Sequence, residues 1–151
     1  MEDDEVLDWI RSQASGACSI FSVCTGALLC GAAGLLRGRR ATTHWASIHL
    51  LPFFGACPVN ERVVVDGSYV FAAGVTAGID GALRLAAELR GDAAAQAIQL
   101  YMEYAPAPPF ESGTPATAPP EIVRQARQDV QDITTRRENT ARRIAGRLGI
   151  S

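Results

Sequence analysis

The chain has 151 residues, of which 48% are hydrophobic, so it can form one domain with a substantial core. Its formal net charge of −2 excludes the broad positive field expected of a protein that binds nucleic acid or anionic membranes. No stretch approaches the ~18 consecutive apolar residues of a membrane span. The acidic start MEDDE is the reverse of a secretory signal, and we therefore expect a cytoplasmic protein.

The first part of the chain predicts a helix, a strand, a sharp turn and a second helix. Residues 2–15 place Val6, Trp9 and Ile10 at helical spacing after an acidic first turn. The apolar run ACSIFSV, residues 17–23, is typical of a strand that is covered on both faces. The following TGALLCGAAGLL has the small residues and leucines of a helix, and the basic RGRR ends it.

The middle of the chain predicts a β-hairpin. RATTHW, starting at Arg40, indicates a short β segment, and residues 46–55 predict a helix that ends near Gly55. The segment RVVVDGSYVFAAG then places two β-prone runs around Asp66 and Gly67. This dipeptide is favoured where both central residues of a tight turn have positive φ, so we expect it to form the hairpin turn.

Residues 1–104 are expected to form one α/β domain, because strands and helices alternate along them. Its last two helices run from TAGID to a stop at Gly91, and over residues 93–104. The proline-rich residues 105–120 can hold neither a helix nor a ladder, which predicts an extended connector. Residues 121–151 keep apolar side chains at helical spacing among many charges. This pattern predicts one long, solvated helix that docks on the domain or on a second subunit.

Cys24 lies in the segment SVCTG, at the turn between the predicted strand and the predicted helix. Reactive groups of open α/β sheets collect beyond the carboxyl ends of strands, where free N–H groups and a positive helix dipole favour negative charge. We expect Gly26 to let the turn tighten, so that the amide after the cysteine can face a developing anion, as in a nucleophile elbow. Position alone leaves two alternatives, a catalytic thiol and a small buried hydrophobe. The other cysteines are expected to be buried, reduced packing residues: Cys18, Cys30 and Cys57.

Several segments together resemble the ThiJ/PfpI superfamily, which is related to the class I glutamine amidotransferases. They are SVCTGALLCGAAGLLRGRRATTHWASIHLL, the hairpin, GVTAGIDGALRLAAEL and LYMEYAPAPPFESGTPATAP. Within this tail, MEYAPAPPF points to the isocyanide hydratase branch. The resemblance implies a flavodoxin-like three-layer α/β/α sandwich, a homodimer, a small-molecule isocyanide substrate, and chemistry without a metal or an organic cofactor.

The same resemblance implies roles for individual residues. Cys24 would attack the terminal carbon of an isocyanide, and water would hydrolyse the resulting thioimidate to an N-substituted formamide. Thr25 would place its amide beside the sulfur. His44 of the TTHW segment would either move protons near the cysteine or serve as a structural histidine bonded to the backbone. Asp80 would lie near the cleft, where it could equally be an acid stabilised by a helix dipole. The substrate pocket would comprise Gly26, Thr76 and Asp80.

Members of the hydratase branch also have further N-terminal strands, a carboxylate that hydrogen-bonds the thiol, and a Gly-Gly loop. This sequence aligns from inside that pattern, so we expect an N-terminally truncated form of the fold. The strand that leads to Cys24 would then have an unpaired apolar edge.

Two other interpretations stay open. A ligand-sensing domain related to araC-type transcription regulators would share the SVCTG and TTHW segments. A cysteine-based stress or redox protein would use the ease with which an exposed thiol oxidises. The arginines of the terminal segment are interleaved with acids, which favours a solvated or subunit-docking helix over a nucleic-acid site.

Overall fold

The computed structural model describes residues 1–150, in which helices and short strands alternate. The α-helices are α1 (Asp4–Gly16), α2 (Gly26–Ala32), α3 (Ala77–Arg90), α4 (Asp92–Tyr101), α5 (Pro120–Asp129) and α6 (Gln131–Leu148). A 3₁₀ helix (Trp45–Phe54) lies between α2 and α3. The strands are β1 (Ile20–Val23), β2 (Arg40–Ala41), β3 (Cys57–Pro58), β4 (Val63–Asp66) and β5 (Tyr69–Ala72). None of these helices combines the length and the apolarity that crossing a membrane requires.

The main sheet has three strands in the order β1-β5-β4. β1 runs parallel to β5 and β4 runs antiparallel to it, with Val23 and Val63 both in register with Ala72. Within residues 1–150, β1 is therefore an edge strand, and β5 is the strand with which it pairs. β2 and β3 form a separate parallel pair.

Helix α3 covers one face of the main sheet at close range. A Cβ atom at Gly81 would lie 2.7 Å from the ring of Phe21, and one at Gly78 would lie 3.0 Å from a methyl group of Val23. A side chain at either position would push the helix away from β1, so these two glycines fix how closely α3 can lie on the sheet. Helix α4 packs against α3 on its outer side.

The opposite face of the sheet carries the larger core. Phe71 of β5 points to this side because successive strand residues face opposite layers. There it joins Leu28 of α2, Phe54 of the 3₁₀ helix and Ile144 of α6, all nearly inaccessible to solvent. Each such side chain contributes about 1.5–3 kcal/mol through burial. Helices thus cover both faces of the sheet, and the predicted α/β sandwich is confirmed.

The hairpin forms where the sequence indicates it, but its turn is shifted by one residue. Asp66 pairs with Tyr69, so the two-residue loop consists of Gly67 and Ser68. Of these two loop residues, only Gly67 has a positive φ, 60°. The prediction that Asp66 is a central residue of the turn with positive φ is therefore wrong. Glycine at the first central position is the pattern of a type II′ turn, whose twist suits the flanking strands.

The C-terminal part differs from its prediction in three places. Helix α4 ends at Tyr101, three residues before the predicted end, and the chain turns through Glu103 at φ 51°. The connector is one residue shorter than expected because Pro120 opens α5, where its missing N–H costs nothing. The predicted single terminal helix is two helices that meet at Val130. Ser151, the last residue of that prediction, lies outside the described residues.

The two terminal helices have different surroundings, which the continuous apolar spacing of the sequence does not reveal. Helix α5 has no buried side chain, whereas α6 buries Ala141, Ile144 and Ala145 and packs against the 3₁₀ helix. Two hydrogen bonds of 2.8 Å from Arg143 to Glu2 join α6 to the start of the chain.

Candidate active site

Cys24 lies directly after β1 and holds an uncommon backbone conformation. Its N–H donates a 2.9 Å hydrogen bond to the carbonyl oxygen of Ala72, which extends the β1–β5 pairing by one step. Its φ of 57° lies in the left-handed region, where a residue with a Cβ atom is strained by about 1–2 kcal/mol. The side chain is half-buried. The turn thus holds a partly accessible thiol at the carboxyl end of a strand.

The backbone around Cys24 leaves two amides available. The N–H groups of Thr25 and Gly26 donate to no acceptor within residues 1–150, and both residues are half-buried. Thr25 caps α2 through its carbonyl oxygen, which accepts from the N–H of Leu28 at 3.0 Å, while its hydroxyl makes no capping bond. The two amides can therefore interact with negative charge that develops next to the turn.

Gly26 does not tighten this turn, contrary to the prediction. A Cβ atom there would meet only the Cβ of Ser22 at 3.8 Å, an ordinary contact. Positive φ belongs to Cys24, so the cysteine itself makes the sharp change of direction. The sequence could not reveal this, because cysteine has no preference for the left-handed region.

His44 caps the 3₁₀ helix instead of bonding to the thiol. Its Nδ1 accepts from the N–H of Ala46 at 3.4 Å, and within the described residues no hydrogen bond joins it to Cys24. Burial lowers the pKa of His44, and the positive charge of Arg137 lowers it further. Both the acceptor role of Nδ1 and the lowered pKa favour the neutral imidazole. The geometry thus fits the structural alternative that the sequence leaves open.

Thr76 and Asp80 come together through a residue that the sequence did not single out. The guanidinium of Arg62 binds the carboxylate of Asp80 and donates to the hydroxyl of Thr76 at 3.2 Å. The hydroxyl of Tyr104 donates to Asp80 at 2.8 Å. The hydrogen bond with Asp80 raises the pKa of Arg62. The carboxylate of Asp80 therefore has two protein partners and holds α3, β4 and the end of the α4 segment together.

The sequence contains only indirect signals for Arg62 and Tyr104, the two partners of Asp80. Arg62 opens the strand segment RVVVDG, and Tyr104 lies within MEYAPAPPF. The carbonyl oxygen of Arg62 accepts from the N–H of Ala73, one residue beyond the Ala72 that binds Cys24. The Asp80 cluster, formed by Arg62, Thr76, Asp80 and Tyr104, therefore lies at the same end of β5 as the cysteine turn.

The other cysteines differ from expectation in two of three cases. Cys18 is exposed because it lies before β1 begins, and Cys57 is exposed on the short β3, so neither is a core residue. Cys30 is buried on α2, and burial raises the pKa of its thiol. All four cysteines are free.

Within residues 1–150, no three His, Cys, Asp or Glu side chains are grouped so that they could hold a metal ion.

Comparisons with known proteins connect this geometry to one family. The model of the DJ-1/PfpI family matches residues 1–88. The chain is 54% identical to isonitrile hydratase of Pseudomonas putida over 150 residues, covering 99% of this chain and 66% of that protein. It is also 34% identical over 90 residues to the HTH-type transcriptional regulator CdhR of Pseudomonas aeruginosa, covering 57% of this chain and 26% of the regulator.

Solved structures of ThiJ/PfpI and DJ-1 proteins have the same fold as this chain. A THiJ/PfpI family protein from Pseudomonas syringae superposes with a TM-score of 0.89 at 42% identity, covering 92% of this chain and 57% of that one. Drosophila melanogaster DJ-1beta superposes with a TM-score of 0.56 at 25% identity, covering 70% of this chain and 56% of that one. The chain therefore spans less than two thirds of the length of both.

Proposed function

Because the chain belongs to the DJ-1/PfpI family, we propose that it hydrates an isocyanide to an N-substituted formamide with Cys24 as the nucleophile. The observation that carries this proposal is the 54% identity to isonitrile hydratase of Pseudomonas putida over 150 residues. The strained and partly accessible position of Cys24 supports it, because a thiol at the end of a strand can approach a small electrophile.

The reaction has two steps. In the first, the sulfur of Cys24 bonds to the terminal carbon of the isocyanide, a proton adds to the same carbon, and the carbon–nitrogen bond order falls from three to two. In the second, water adds to that carbon of the thioimidate and the nitrogen takes a proton. The carbon–sulfur bond then breaks, which releases the formamide and regenerates the thiol. One isocyanide and one water give one formamide, and no metal or organic cofactor takes part.

The residues around Cys24 have separate roles in this proposal. The N–H groups of Thr25 and Gly26 stabilise negative charge on the sulfur and next to it, since they have no acceptor within residues 1–150. His44 acts as a positioning residue, because it caps the 3₁₀ helix that follows Thr43, and Thr43 binds the Cys24 carbonyl. Asp80 and Thr76, which Arg62 holds together, belong to the substrate site in this proposal.

The proposal also includes a homodimer in the cytoplasm. A homodimer is what the resemblance to the hydratase branch implies. Four free cysteines suit a reducing compartment, where thiols persist. Light scattering during gel filtration of the 151-residue chain measures the oligomeric state, and a monomer at all concentrations would contradict this part of the proposal.

The test uses cyclohexyl isocyanide as a probe and follows the formyl proton of the product by NMR. We expect the 151-residue chain to form N-cyclohexylformamide, and Cys24→Ala to form none while keeping its circular dichroism spectrum. Cys57→Ala is the matched control, because Cys57 is also a free and accessible thiol but lies on β3. Product formation by Cys24→Ala at the rate of the unaltered chain would refute the role of Cys24.

A ligand-sensing role is the second candidate, favoured by the 34% identity to the regulator CdhR over 90 residues. A sensor would bind the isocyanide reversibly and release it unchanged, whereas an enzyme releases formamide. Mass spectrometry distinguishes the two, since a thioimidate adds the mass of the isocyanide to Cys24. Saturable binding with neither adduct nor formamide would favour the sensor over the enzyme.

A further inference from the structure

A cavity lies between the 3₁₀ helix and the two terminal helices, apart from the cysteine turn. Its volume is about 640 Å³, and none of the residues that line it belongs to the turn formed by residues 24–26. We propose that this cavity binds a small organic carboxylate with an apolar body. The proposal concerns a site of its own and does not depend on the hydratase activity.

The walls of the cavity supply an apolar surface for the ligand body. Trp45 and Ile48 of the 3₁₀ helix form one side, and Val123 of α5 together with Val130 forms the other. Trp45 is half-buried, so part of its ring is accessible from the cavity. An aromatic ring between aliphatic side chains stabilises a small apolar group by contact and by displacement of water.

Two arginines supply the charge that would hold the carboxylate. Arg124 and Arg127, one turn apart on α5, both line the cavity, and no aspartate or glutamate lines it. Within the described residues neither arginine forms an ion pair, whereas Arg142 and Arg143 of α6 are both paired with glutamates. The guanidinium of Arg127 lies 5.8 Å from the centre of the Trp45 ring.

This combination selects an anion over a cation or a neutral molecule. A guanidinium presents several N–H donors in one plane and binds a carboxylate through charge-assisted hydrogen bonds. Two arginines without acidic partners leave local positive charge uncompensated, and a carboxylate neutralises it. Arg127 already lies over the face of the Trp45 ring, so a carboxylate bound at its guanidinium would bring the apolar body of the same ligand to the edge of that ring.

The experiment uses the fluorescence of Trp45 to report binding. The chain has two tryptophans, so Trp9→Phe, a change on the exposed face of α1, leaves Trp45 as the only one. Phenylacetate is the probe, and phenylacetamide is its uncharged counterpart of nearly the same shape. We expect a saturable change of Trp45 emission with phenylacetate, and a roughly tenfold weaker affinity for phenylacetamide, which corresponds to the loss of a charge-assisted contact.

Variants then connect the signal to the arginines. Arg124→Gln with Arg127→Gln should weaken phenylacetate binding roughly tenfold or more. Arg136→Gln on α6 is the matched control, because Arg136 does not line the cavity, and it should leave the affinity unchanged. The comparison of the two probes on the Trp9→Phe chain needs no arginine variant, so it remains decisive if the double variant fails to fold.

Three results would overturn the proposal. The first is no saturable change of emission at millimolar phenylacetate. The second is equal affinity for phenylacetate and phenylacetamide, which would remove the role of charge. The third is an equal response to inorganic phosphate, which would show that the apolar body contributes nothing.

Discussion

The hydroxyl of Thr43 donates a 2.8 Å hydrogen bond to the carbonyl oxygen of Cys24. This contact joins two distant parts of the chain, the turn after β1 and the segment that enters the 3₁₀ helix. Thr43 is only 1% exposed, so water does not replace it. The strained conformation of Cys24 is therefore held on both sides, by Thr43 at the carbonyl and by Ala72 at the N–H.

Removing the Thr43 hydroxyl should destabilise this turn. Thr43→Val keeps the shape of the side chain but leaves the Cys24 carbonyl without this donor, at a cost of about 1–3 kcal/mol. Urea unfolding measures the change in the free energy of unfolding. Thr43→Ser retains the hydroxyl and should recover most of the stability, and a serine variant as unstable as the valine variant would contradict the role of this bond.

The conformation of Cys24 predicts an order of stability for two variants that lack the thiol. At φ 57°, alanine keeps the strain of a Cβ atom, whereas glycine adopts this conformation freely. Cys24→Gly should therefore be more stable than Cys24→Ala by about 1 kcal/mol, as measured by urea unfolding. Alanine being equal to or more stable than glycine would show that the left-handed turn costs nothing.

Gly31 on α2 is required by its close approach to Phe54. A Cβ atom there would lie 2.5 Å from Cγ of the Phe54 ring, which is fully buried. Gly31→Ala should lower the free energy of unfolding by about 1–3 kcal/mol through overpacking. Gly146→Ala on α6 is the matched control, since nothing lies within 4 Å of a Cβ atom there, and it should raise stability by about 0.5–1 kcal/mol. A neutral Gly31→Ala would mean that the 3₁₀ helix moves aside at no cost.

The hydrogen bond between Tyr104 and Asp80 should contribute to stability, whereas the exposed hydroxyl of Tyr101 on α4 should not. Tyr104→Phe removes the 2.8 Å hydrogen bond to Asp80, and we expect a loss of about 0.5–1.5 kcal/mol in thermal or urea unfolding. Tyr101→Phe removes a hydroxyl from a side chain that is 93% exposed, and its effect should stay within about 0.5 kcal/mol. Equal effects of the two changes would place Tyr104 outside the cluster.

Local patterns in the sequence predicted most of the elements that surround Cys24. The helix over residues 2–15 is observed as Asp4–Gly16, and the stop at Gly91 after α3 is confirmed, with Gly91 at φ 84°. These features depend on neighbours a few positions away, so composition and spacing reveal them. The break at Val130 is different, because it depends on which part of the terminal segment finds a partner in the core.

The site was harder to predict because its contacts join distant segments. Cys24 was singled out from the SVCTG turn, but its bonds to Thr43 and Ala72 depend on tertiary structure. Arg62 was missed because an arginine before a strand usually points to solvent, and only the packing of α3 on the sheet brings Asp80 to it. The positive φ of Cys24 likewise follows from the geometry of the turn and not from a residue preference.

The cap formed by His44 makes stability depend on pH with a defined sign. Burial and, to a lesser extent, Arg137 lower the pKa of His44 in the folded chain below about 6.5, the ordinary histidine value. As the pH falls from about 6.5 toward this lowered pKa, the unfolded chain binds more protons than the folded chain, so unfolding becomes more favourable. The neutral imidazole keeps its stabilising bond above that pH, and stability is lost as the pH falls toward the lowered pKa. His44→Asn caps the helix without titrating, so it should reduce the pH dependence of the free energy of unfolding between about pH 5 and 7, as measured by urea unfolding. The control is His49→Asn, a change at an exposed histidine, which should keep the pH dependence of the unaltered chain. The same pH dependence in both variants would show that His44 carries none of it.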